Sequence, residues 1–175
     1  MNYILKDQQT ERLTLRLLQE SDFDAWLPLF EVQKQVAKFL GMDPKLGAKK
    51  LCEQWFEKCF DRYENNLGGM NVLINTKTDE LIGQSGLLVQ TVEDIQRLEV
   101  AYSVLPEFWG QGYATEAAQK CKTYAFENNF SDSLISIVHV ENKASEIVAL
   151  KNGMELEKKI DCYYDMPVNI FRIDK

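Results

Sequence analysis

Two features of this sequence could do chemistry, and the first is a glycine turn at residues 110–112. Gly110 and Gly112 lack a Cβ, so the backbone between them can approach a ligand closely. The amides of Gln111 to Thr115 then begin a helix, where unpaired N–H groups and the helix dipole favour negative charge. The turn therefore predicts a site for a phosphate or another anion. The alternative is a tight turn at a helix start with no ligand.

Two familiar phosphate-binding patterns do not fit this turn. The dinucleotide fingerprint Gly-x-Gly-x-x-Gly would need a glycine at Thr115. A Walker loop would need Gly-Lys-Ser/Thr at residues 112–114, where the chain has Gly-Tyr-Ala. The sequence therefore gives no reason to expect a nucleotide site of either kind.

The second feature is Glu99, a charged residue inside the otherwise apolar segment 98–105. Burial raises the pKa of a carboxyl group, which would bring Glu99 towards the range useful for a general base. The alternative is that Glu99 only binds a backbone group or orients a substrate. His139 is the single histidine and also lies in an apolar run, where packing in the core is more typical than catalysis.

Three consecutive elements must position these residues. Segment 98–105 is rich in β-branched and aromatic residues and predicts a buried strand, which Pro106 ends because it has no N–H. Apolar residues at helical spacing from Ala114 to Ala125 predict a helix after the glycines. The apolar run 134–140 predicts a parallel strand, so the three elements form one β-α-β unit.

The other segments predict a mixed sheet covered by helices. We expect strands at 13–18, 70–75, 80–90, 154–160 and 168–173, helices at 23–30, 36–40 and 143–152, and a longer helix beginning near Asp43-Pro44. Pro28 predicts an irregular first helix, residues 91–97 a polar turn, and Gly83 and Gly86 a bulge or a close backbone approach. The predicted fold class is α/β, an α/β/α layered sandwich with one mixed, mostly antiparallel sheet, and residues 1–175 form one domain.

Composition narrows the class of protein. The net charge of −7 argues against nonspecific nucleic-acid binding and is compatible with a cationic acceptor or with solubility alone. No apolar run is long enough for a membrane span, and the first residues do not resemble a signal peptide. The four cysteines lack Cys-x-x-Cys spacing, so we expect buried thiols in a reducing compartment, the cytoplasm, and no metal site.

Three motifs in order resemble the GNAT N-acetyltransferase superfamily. Residues 109–117 read Trp-Gly-Gln-Gly-Tyr-Ala-Thr-Glu-Ala, which is similar to the family's acyl-CoA pyrophosphate loop. Trp109 replaces the Gln or Arg of the general pattern, a change typical of the branch of ribosomal-protein N-terminal acetyltransferases. Residues 142–145, Asn-Lys-Ala-Ser, and the opening 10–18, Thr-Glu-Arg-Leu-Thr-Leu-Arg-Leu-Leu, resemble the same branch.

The resemblance implies that acetyl-CoA is a co-substrate and indicates where it would bind. The implied cofactor contacts are Ser103, Val104 and Leu105 for the pantetheine arm, Trp109, Gly110, Gln111, Gly112, Tyr113, Ala114 and Thr115 for the pyrophosphate, and Asn142. It also implies that the first helices overlie the acceptor site. Trp26, Trp55 and Phe56 would then either line a substrate groove or pack in the core.

The resemblance also implies two catalytic residues. Glu99 would be the base that accepts a proton from the attacking amine, directly or through water. Many members use a tyrosine seven residues after the asparagine to protonate the leaving thiolate, but Ala149 stands there. Ser145 is the nearest substitute, because its hydroxyl could hydrogen-bond the thiolate. The alternative is that Ser145 only caps the helix.

The predicted function is transfer of an acetyl group from acetyl-CoA to a primary amine by direct attack, without a covalent enzyme intermediate. The acceptor is a protein N-terminus or a small molecule, and the enzyme is a monomer or homodimer. No nucleic-acid, membrane or metal partner is expected. The alternative function is a noncatalytic acyl-CoA-binding or regulatory module that keeps the fold, which Trp109 and Ala149 leave open.

Overall fold

A computed structural model describes residues 3–32 and 34–175, which form a seven-stranded sheet with helices on both faces. The strands are β1 (Leu13–Leu17), β2 (Gly68–Asn75), β3 (Leu81–Val92), β4 (Ile95–Val104), β5 (Ser133–His139), β6 (Glu155–Tyr163) and β7 (Met166–Asp174). The helices are α1 (Phe23–Trp26), α2 (Pro28–Val32), α3 (Lys34–Phe39), α4 (Ala48–Glu64), α5 (Tyr113–Glu127) and α6 (Lys143–Lys151).

The strand order is β1-β2-β3-β4-β5-β7-β6. All neighbouring strands are antiparallel except β4 and β5, which are parallel and are connected through α5. The prediction of a single mixed and mostly antiparallel sheet with a central β-α-β unit is therefore confirmed.

Successive residues along the strands point to opposite faces of the sheet and fill two large cores, and a third, smaller cluster consists of Val92, Ile135, Val168 and Ile170. Leu73 and Leu87 pack on one face with α5, whereas Val72 and Leu88 pack on the other with α1 to α4. Small residues of α5, such as Ala117 and Ala118, let this helix lie close to the sheet. The helix and its preceding loop are therefore fixed against β3 and β4.

The helical layer before the hairpin differs in detail from the sequence prediction. The first helix is interrupted as predicted, because α1 ends at Trp26 and α2 begins at Pro28. The long helix begins at Ala48, with Gly47 as its N-cap, and the predicted start near Asp43 is wrong. The Asp43 side chain instead accepts a hydrogen bond from the Lys45 N–H in a turn before the helix.

The predicted polar turn at residues 91–97 is also wrong. β3 continues to Val92 and β4 begins at Ile95, so only Glu93 and Asp94 form the turn. Both have positive φ angles of 50° and 63°, as expected for a two-residue hairpin turn whose twist matches that of the strands. The polar composition of the segment reflects exposed strand ends and not a long loop.

The four cysteines are free thiols. Cys52, Cys59 and Cys121 are buried as predicted, but Cys162 near the end of β6 is exposed. No helix within residues 3–32 and 34–175 has both the length and the hydropathy needed to cross a bilayer.

Both interpretations of the β3 glycines hold. A register shift opposite Leu73 and Ile74 marks a bulge at the start of β3, next to Gly83. Gly86 faces a close backbone approach, because a Cβ there would lie 1.9 Å from the Gly69 carbonyl oxygen. A side chain at this position would separate β2 from β3.

We therefore predict that Gly86→Ala lowers the free energy of unfolding by about 1–3 kcal/mol or more, the range for overpacking a tight site. The matched control is Gly47→Ala, because no atom lies within 4 Å of a Cβ built on Gly47. Urea unfolding of the two variants measures the difference. Equal destabilisation by both substitutions would contradict the packing argument.

Candidate active site

A gap opens in the sheet where β4 and β5 part. The two parallel strands are paired in register only at Glu99 and Ile135. Beyond that pair lies a cavity of about 470 Å³ with walls on both strands and on α4, α6 and the β6–β7 turn. Residues of β4 and β5 along the cavity are Glu99, Val100, Ala101, Tyr102, Ser103, Ser136, Ile137, Val138 and His139.

Side chains replace strand pairing at the point where the gap begins. The Ser136 hydroxyl donates a hydrogen bond to the Val100 carbonyl at 2.8 Å. The Ile137 N–H donates to Glu99 Oε1 at 3.2 Å. Buried backbone groups that would otherwise lack partners are thus satisfied without closing the sheet.

Glu99 is buried and lines the cavity. Burial raises the pKa of Glu99, and hydrogen bonds from Gln90 and Ile137 oppose this rise without cancelling it. Gln90 Nε2 lies 2.7 Å from Glu99 Oε2. The carboxyl group is therefore a proton acceptor with a raised pKa at the cavity wall, and it also binds the Ile137 N–H.

The β4 edge exposed in the gap includes Val104, one of the three residues that the resemblance implied for the pantetheine arm. The carbonyls of Val100 and Val104 accept hydrogen bonds from the side chains of Ser136 and Trp109 and not from β3. By the alternation of a strand, the backbone groups of Tyr102 face the gap as well. No motif in the sequence indicates this place for Tyr102.

Leu105 and Ser103 are placed differently from Val104. The Leu105 N–H donates to the Ile82 carbonyl of β3, and its side chain is buried in the core under α4. The structure therefore does not bring the Leu105 N–H to the cavity. Ser103 lies along the cavity wall.

The start of α6 forms another part of the wall. Asn142 is the N-cap, and its Oδ1 accepts from the Ser145 N–H at 3.1 Å. Ser145 is thus the third residue of the helix and not its cap, which corrects the alternative of a capping serine. Both residues line the cavity.

Tyr102 fixes the position of Ser145. Its phenol donates to the Ser145 carbonyl at 2.7 Å, and burial raises the pKa of Tyr102, so the group stays a donor. Ala149 is buried in the core one turn further along α6. A phenol from β4 therefore lies beside this helix, although no tyrosine is present at position 149.

The glycine turn carries a run of free amides. Gly110 and Gly112 have φ angles of 74° and 83°, a left-handed conformation that other residues rarely adopt. Within residues 3–32 and 34–175, no acceptor is bonded to the backbone N–H groups of residues 110–115. A Cβ on Gly110 would meet no atom within 4 Å, so open space lies beside this residue. The arrangement fits a phosphate-bearing ligand.

The predicted loop residues contribute through different groups. Trp109 donates its indole N–H to the Val104 carbonyl at 2.7 Å, which ties the loop to the end of β4. The Gln111 side chain bonds back to the Glu107 carbonyl. The Tyr113 side chain is buried, and its hydroxyl accepts a hydrogen bond from Asn75. Only the backbone amide of Tyr113 is therefore available to a ligand at the loop, and Ala114 and Thr115 likewise present their amides.

An ion pair from the N-terminal segment supports this loop. Arg12 contacts Glu116 through Nε and Nη2, both 2.6 Å from Oε2, and donates from Nη1 to the Gln111 carbonyl at 3.0 Å. Its guanidinium also lies 4.3 Å from the centre of the Tyr113 ring. Thr10 donates to the same glutamate at 2.5 Å. Thr10 and Arg12 lie more than 100 residues before Glu116, so no local pattern in the sequence indicates this support.

The helical layer supplies the remaining wall. Trp26 and Phe56 are buried in the core, whereas Trp55 is buried, donates to Gln84 and also lines the cavity. Lys58, Arg62 and Tyr163 line it too, and the sequence named neither Lys58 nor Arg62 as functional. His139 is buried as predicted, but its ring faces the cavity, and burial lowers its pKa. Among the described residues, no three or more His, Cys, Asp and Glu side chains are grouped to hold a metal ion.

Comparisons with known proteins agree with this geometry. Residues 12–155 match the family described as acetyltransferase (GNAT) domain, and the chain belongs to this family. The uncharacterized protein YkkB of Bacillus subtilis strain 168 is 29% identical over 152 residues, which are 86% of each chain. The predicted family is confirmed.

Solved structures share the whole fold. An acetyltransferase from Agrobacterium tumefaciens strain C58 is 25% identical with a TM-score of 0.79, covering 98% of this chain and 95% of that one. RimL, a ribosomal alpha-N-protein acetyltransferase in complex with coenzyme A, is 19% identical with a TM-score of 0.73, covering 96% and 97%. The first structure and the family match confirm the predicted GNAT-like fold, and RimL shows that the suspected branch has the same architecture.

The contacts of Glu116 generate a prediction about stability. Burial by itself would raise the pKa of Glu116, but hydrogen bonds from Thr10 and Arg12 and the charge of Arg12 outweigh it, so the pKa is lowered from 4.5. We expect Glu116→Gln to cost about 1–3 kcal/mol of unfolding free energy, typical for hydrogen bonds to a charged group. A lowered folded-state pKa stabilises above pH 4.5 and loses that stabilisation as pH falls through the folded value.

The difference between wild type and Glu116→Gln should therefore be constant near neutral pH and shrink below pH 4.5. Chemical unfolding at several pH values measures it. Glu127→Gln on the same helix is the control, because Glu127 is exposed and has no partner in the described part of the chain. A difference that is independent of pH, or equal for both variants, would contradict this role for the ion pair.

Proposed function

We propose that this protein transfers an acetyl group from acetyl-CoA to a primary amine by direct attack. The observation that carries the proposal is the alignment of three features along one path: the free amides of residues 110–115, the open edge of β4 and the buried carboxyl group of Glu99. A long acyl carrier with a phosphate-bearing end and a reactive end matches this path. RimL, which shares the fold, was solved with coenzyme A.

The loop and strand bind the donor. The amides of residues 110–115 donate hydrogen bonds to the pyrophosphate, and the left-handed glycines let the loop curve around it. The backbone groups of Tyr102 and the Val104 N–H bond the pantetheine amides, as an added strand would. Trp109 closes the end of this edge by occupying the Val104 carbonyl.

Glu99 and Ser145 act at the reacting end. Glu99 accepts a proton from the amine, directly or through water, as the nitrogen bonds to the acetyl carbon. The C–S bond then breaks, and its electron pair remains on sulfur. Ser145 donates a hydrogen bond to this thiolate, and Tyr102 fixes the turn of α6 that carries the serine.

Acetyl-CoA binding is the first test of this proposal. Acetyl-CoA should raise the melting temperature, since a ligand that binds only the folded state stabilises it by about 2.7 kcal/mol at one hundred times its Kd. Gly112→Asp should abolish the shift, because it places a carboxylate beside the pyrophosphate. Gly112→Ala is the control that introduces the backbone strain at a φ of 83° without the charge, and it should keep part of the shift. No shift in wild type at millimolar acetyl-CoA would refute the proposal.

The second test concerns Glu99. Glu99→Gln should keep acetyl-CoA binding and lower turnover about 10²–10⁴-fold, the usual contribution of a general base. The defect should shrink as pH approaches the pKa of the acceptor amine, about 7.7–8.0 for a protein N-terminus and about 10.4 for lysine, because more amine is then neutral. Glutamine can still accept from the Ile137 N–H, so the gap should remain intact.

Acetylation rates across pH, followed by CoA release with a panel of amines, measure this effect. A wild-type rate for Glu99→Gln at every pH would show that Glu99 is not the base and serves only to bind the backbone. Acetyl-CoA binding with no turnover of any amine by the wild type would favour the noncatalytic acyl-CoA-binding module instead.

A further inference from the structure

One part of the cavity wall carries a buried positive charge without an ionic partner. Arg62 of α4 is only 8% exposed, and its Nη2 donates to the backbone carbonyls of Leu67 and Val89 at 3.3 and 2.7 Å. Its Nε is buried and has no hydrogen-bond partner among the described residues. No carboxylate of residues 3–32 and 34–175 lies within ion-pair distance of it.

Two further donors line the same cavity. Lys58 lies one turn before Arg62 on α4, on the same face of the helix. It lines the cavity and is exposed to solvent, and it has no ion pair or hydrogen bond within the described ranges. The Tyr163 hydroxyl is buried there and also lacks a partner in the described part of the chain. Burial raises the pKa of Tyr163, so its phenol stays protonated and can donate.

The charges of the cavity do not balance. Glu99 is its only carboxylate among the lining residues, and both of its oxygens already accept hydrogen bonds from Gln90 and Ile137. Lys58 and Arg62 therefore leave the cavity with an excess of positive charge. The chain as a whole has a net charge of −7, so this excess is local and not part of a basic surface. The charge of Glu99 acts on Arg62 from beyond ion-pair distance and offsets only one of the two positive charges. Burial of the remaining positive charge is costly, and an anionic ligand would offset that cost.

We propose that the acceptor is an amine that carries an anionic group, a carboxylate or a phosphate, which binds to Lys58, Arg62 and Tyr163 while the amine faces Glu99. Guanidinium groups and lysines are the usual partners of both anions in proteins. The inference rests on the proposed function, since it names the acceptor class of the same site. Free amino acids and phosphorylated amines belong to this class, whereas polyamines do not.

The bonds from Arg62 to Leu67 and Val89 suggest a second role, joining the end of α4 to β3. That role uses Nη2 and leaves the buried Nε unexplained. Lys58 has no such structural contact, so it gives the cleaner test. Lys49 is the matched control. Like Lys58 it is exposed on α4, but it lies about 13 Å from Lys58 along the helix axis and does not line the cavity.

The experiment compares kcat/KM for pairs of acceptors that differ only in the anion. One set pairs each free amino acid with its carboxamide, and the other pairs O-phosphoethanolamine with ethanolamine. The anionic member of at least one set should be preferred at least tenfold, and the two sets distinguish carboxylate from phosphate. A carboxylate keeps its own amine protonated, so this preference cannot come from a more acidic amine.

Lys58→Glu should lower kcat/KM for the anionic acceptor roughly tenfold more than for the neutral partner, because the charge of Lys58 also acts on Glu99 and any effect on the base is shared by both acceptors. Lys49→Glu makes the same change of charge and should alter neither. Tyr163→Phe should affect only the anionic acceptor. For Arg62→Met, kcat/KM is measured with the same acceptor pairs, and its melting curve shows whether the variant folds. The Lys58 and Tyr163 variants test the inference even if Arg62→Met does not fold.

Three outcomes would overturn the inference. In the first, the wild type has an equal or higher kcat/KM for the neutral acceptor in both sets. In the second, Lys58→Glu changes kcat/KM equally for both members of a pair. In the third, no anionic amine is acetylated although acetyl-CoA binds. A protein that does not bind acetyl-CoA in the melting assay would instead fail the proposed function itself. The binding assay therefore distinguishes the two failures.

Discussion

Strands β4 and β5 are paired in register only at Glu99 and Ile135, and the rest of the site depends on what happens beyond that pair. A sheet that parts in its centre exposes backbone groups that must find partners or remain costly. Here Ser136 and Glu99 satisfy those nearest the opening, and Trp109 satisfies the Val104 carbonyl at the far end. The edge between them, around Tyr102, stays open. The same feature that weakens the sheet therefore provides a place for an extended ligand.

The position of Glu99 follows from this geometry. It stands at the last paired position, so its side chain reaches the cavity and the Ile137 N–H together. Glu99 thus bonds a backbone group and also faces the cavity. Its burial raises its own pKa, which brings it towards the range useful for a general base. The N-terminal segment has a comparable double role at the other end of the path. Arg12 packs on Tyr113 and pairs with Glu116, so the segment just before β1 supports the loop with the free amides.

Local patterns in the sequence predicted much of this molecule. Alternation found β1, apolar runs found β4 and β5, and glycines at positive φ marked the loop correctly. The errors came from local signals that a tertiary environment overrode. Polar residues near Glu93 suggested a loop where two exposed strand ends meet in a two-residue turn, and Asp43-Pro44 begins a turn before α4 and not the helix itself. His139 was correctly expected to be buried, but its place at the cavity could not be deduced from an apolar run.

The site residues that the sequence did not predict are far apart along the chain and meet only in the folded structure. Arg62, Tyr163 and Tyr102 come from α4, β6 and β4, and nothing in their neighbouring residues indicates a shared cavity. Val104 and Leu105 illustrate the same difficulty on a smaller scale, because only the pairing with β3 decides which backbone groups face the gap. Ser145 was predicted near the site, and the structure adds that Asn142, not the serine, caps the helix.

The central claim is that acetyl-CoA lies in the gap of the sheet with its pyrophosphate on the loop of free amides. Amide hydrogen exchange with and without acetyl-CoA measures this directly, because each bound N–H exchanges more slowly. Binding there predicts slower exchange at Tyr102, Val104 and residues 110–115 and little change in the β6–β7 hairpin away from its turn. Slower exchange confined to other segments, with the loop and the β4 edge unchanged, would contradict it.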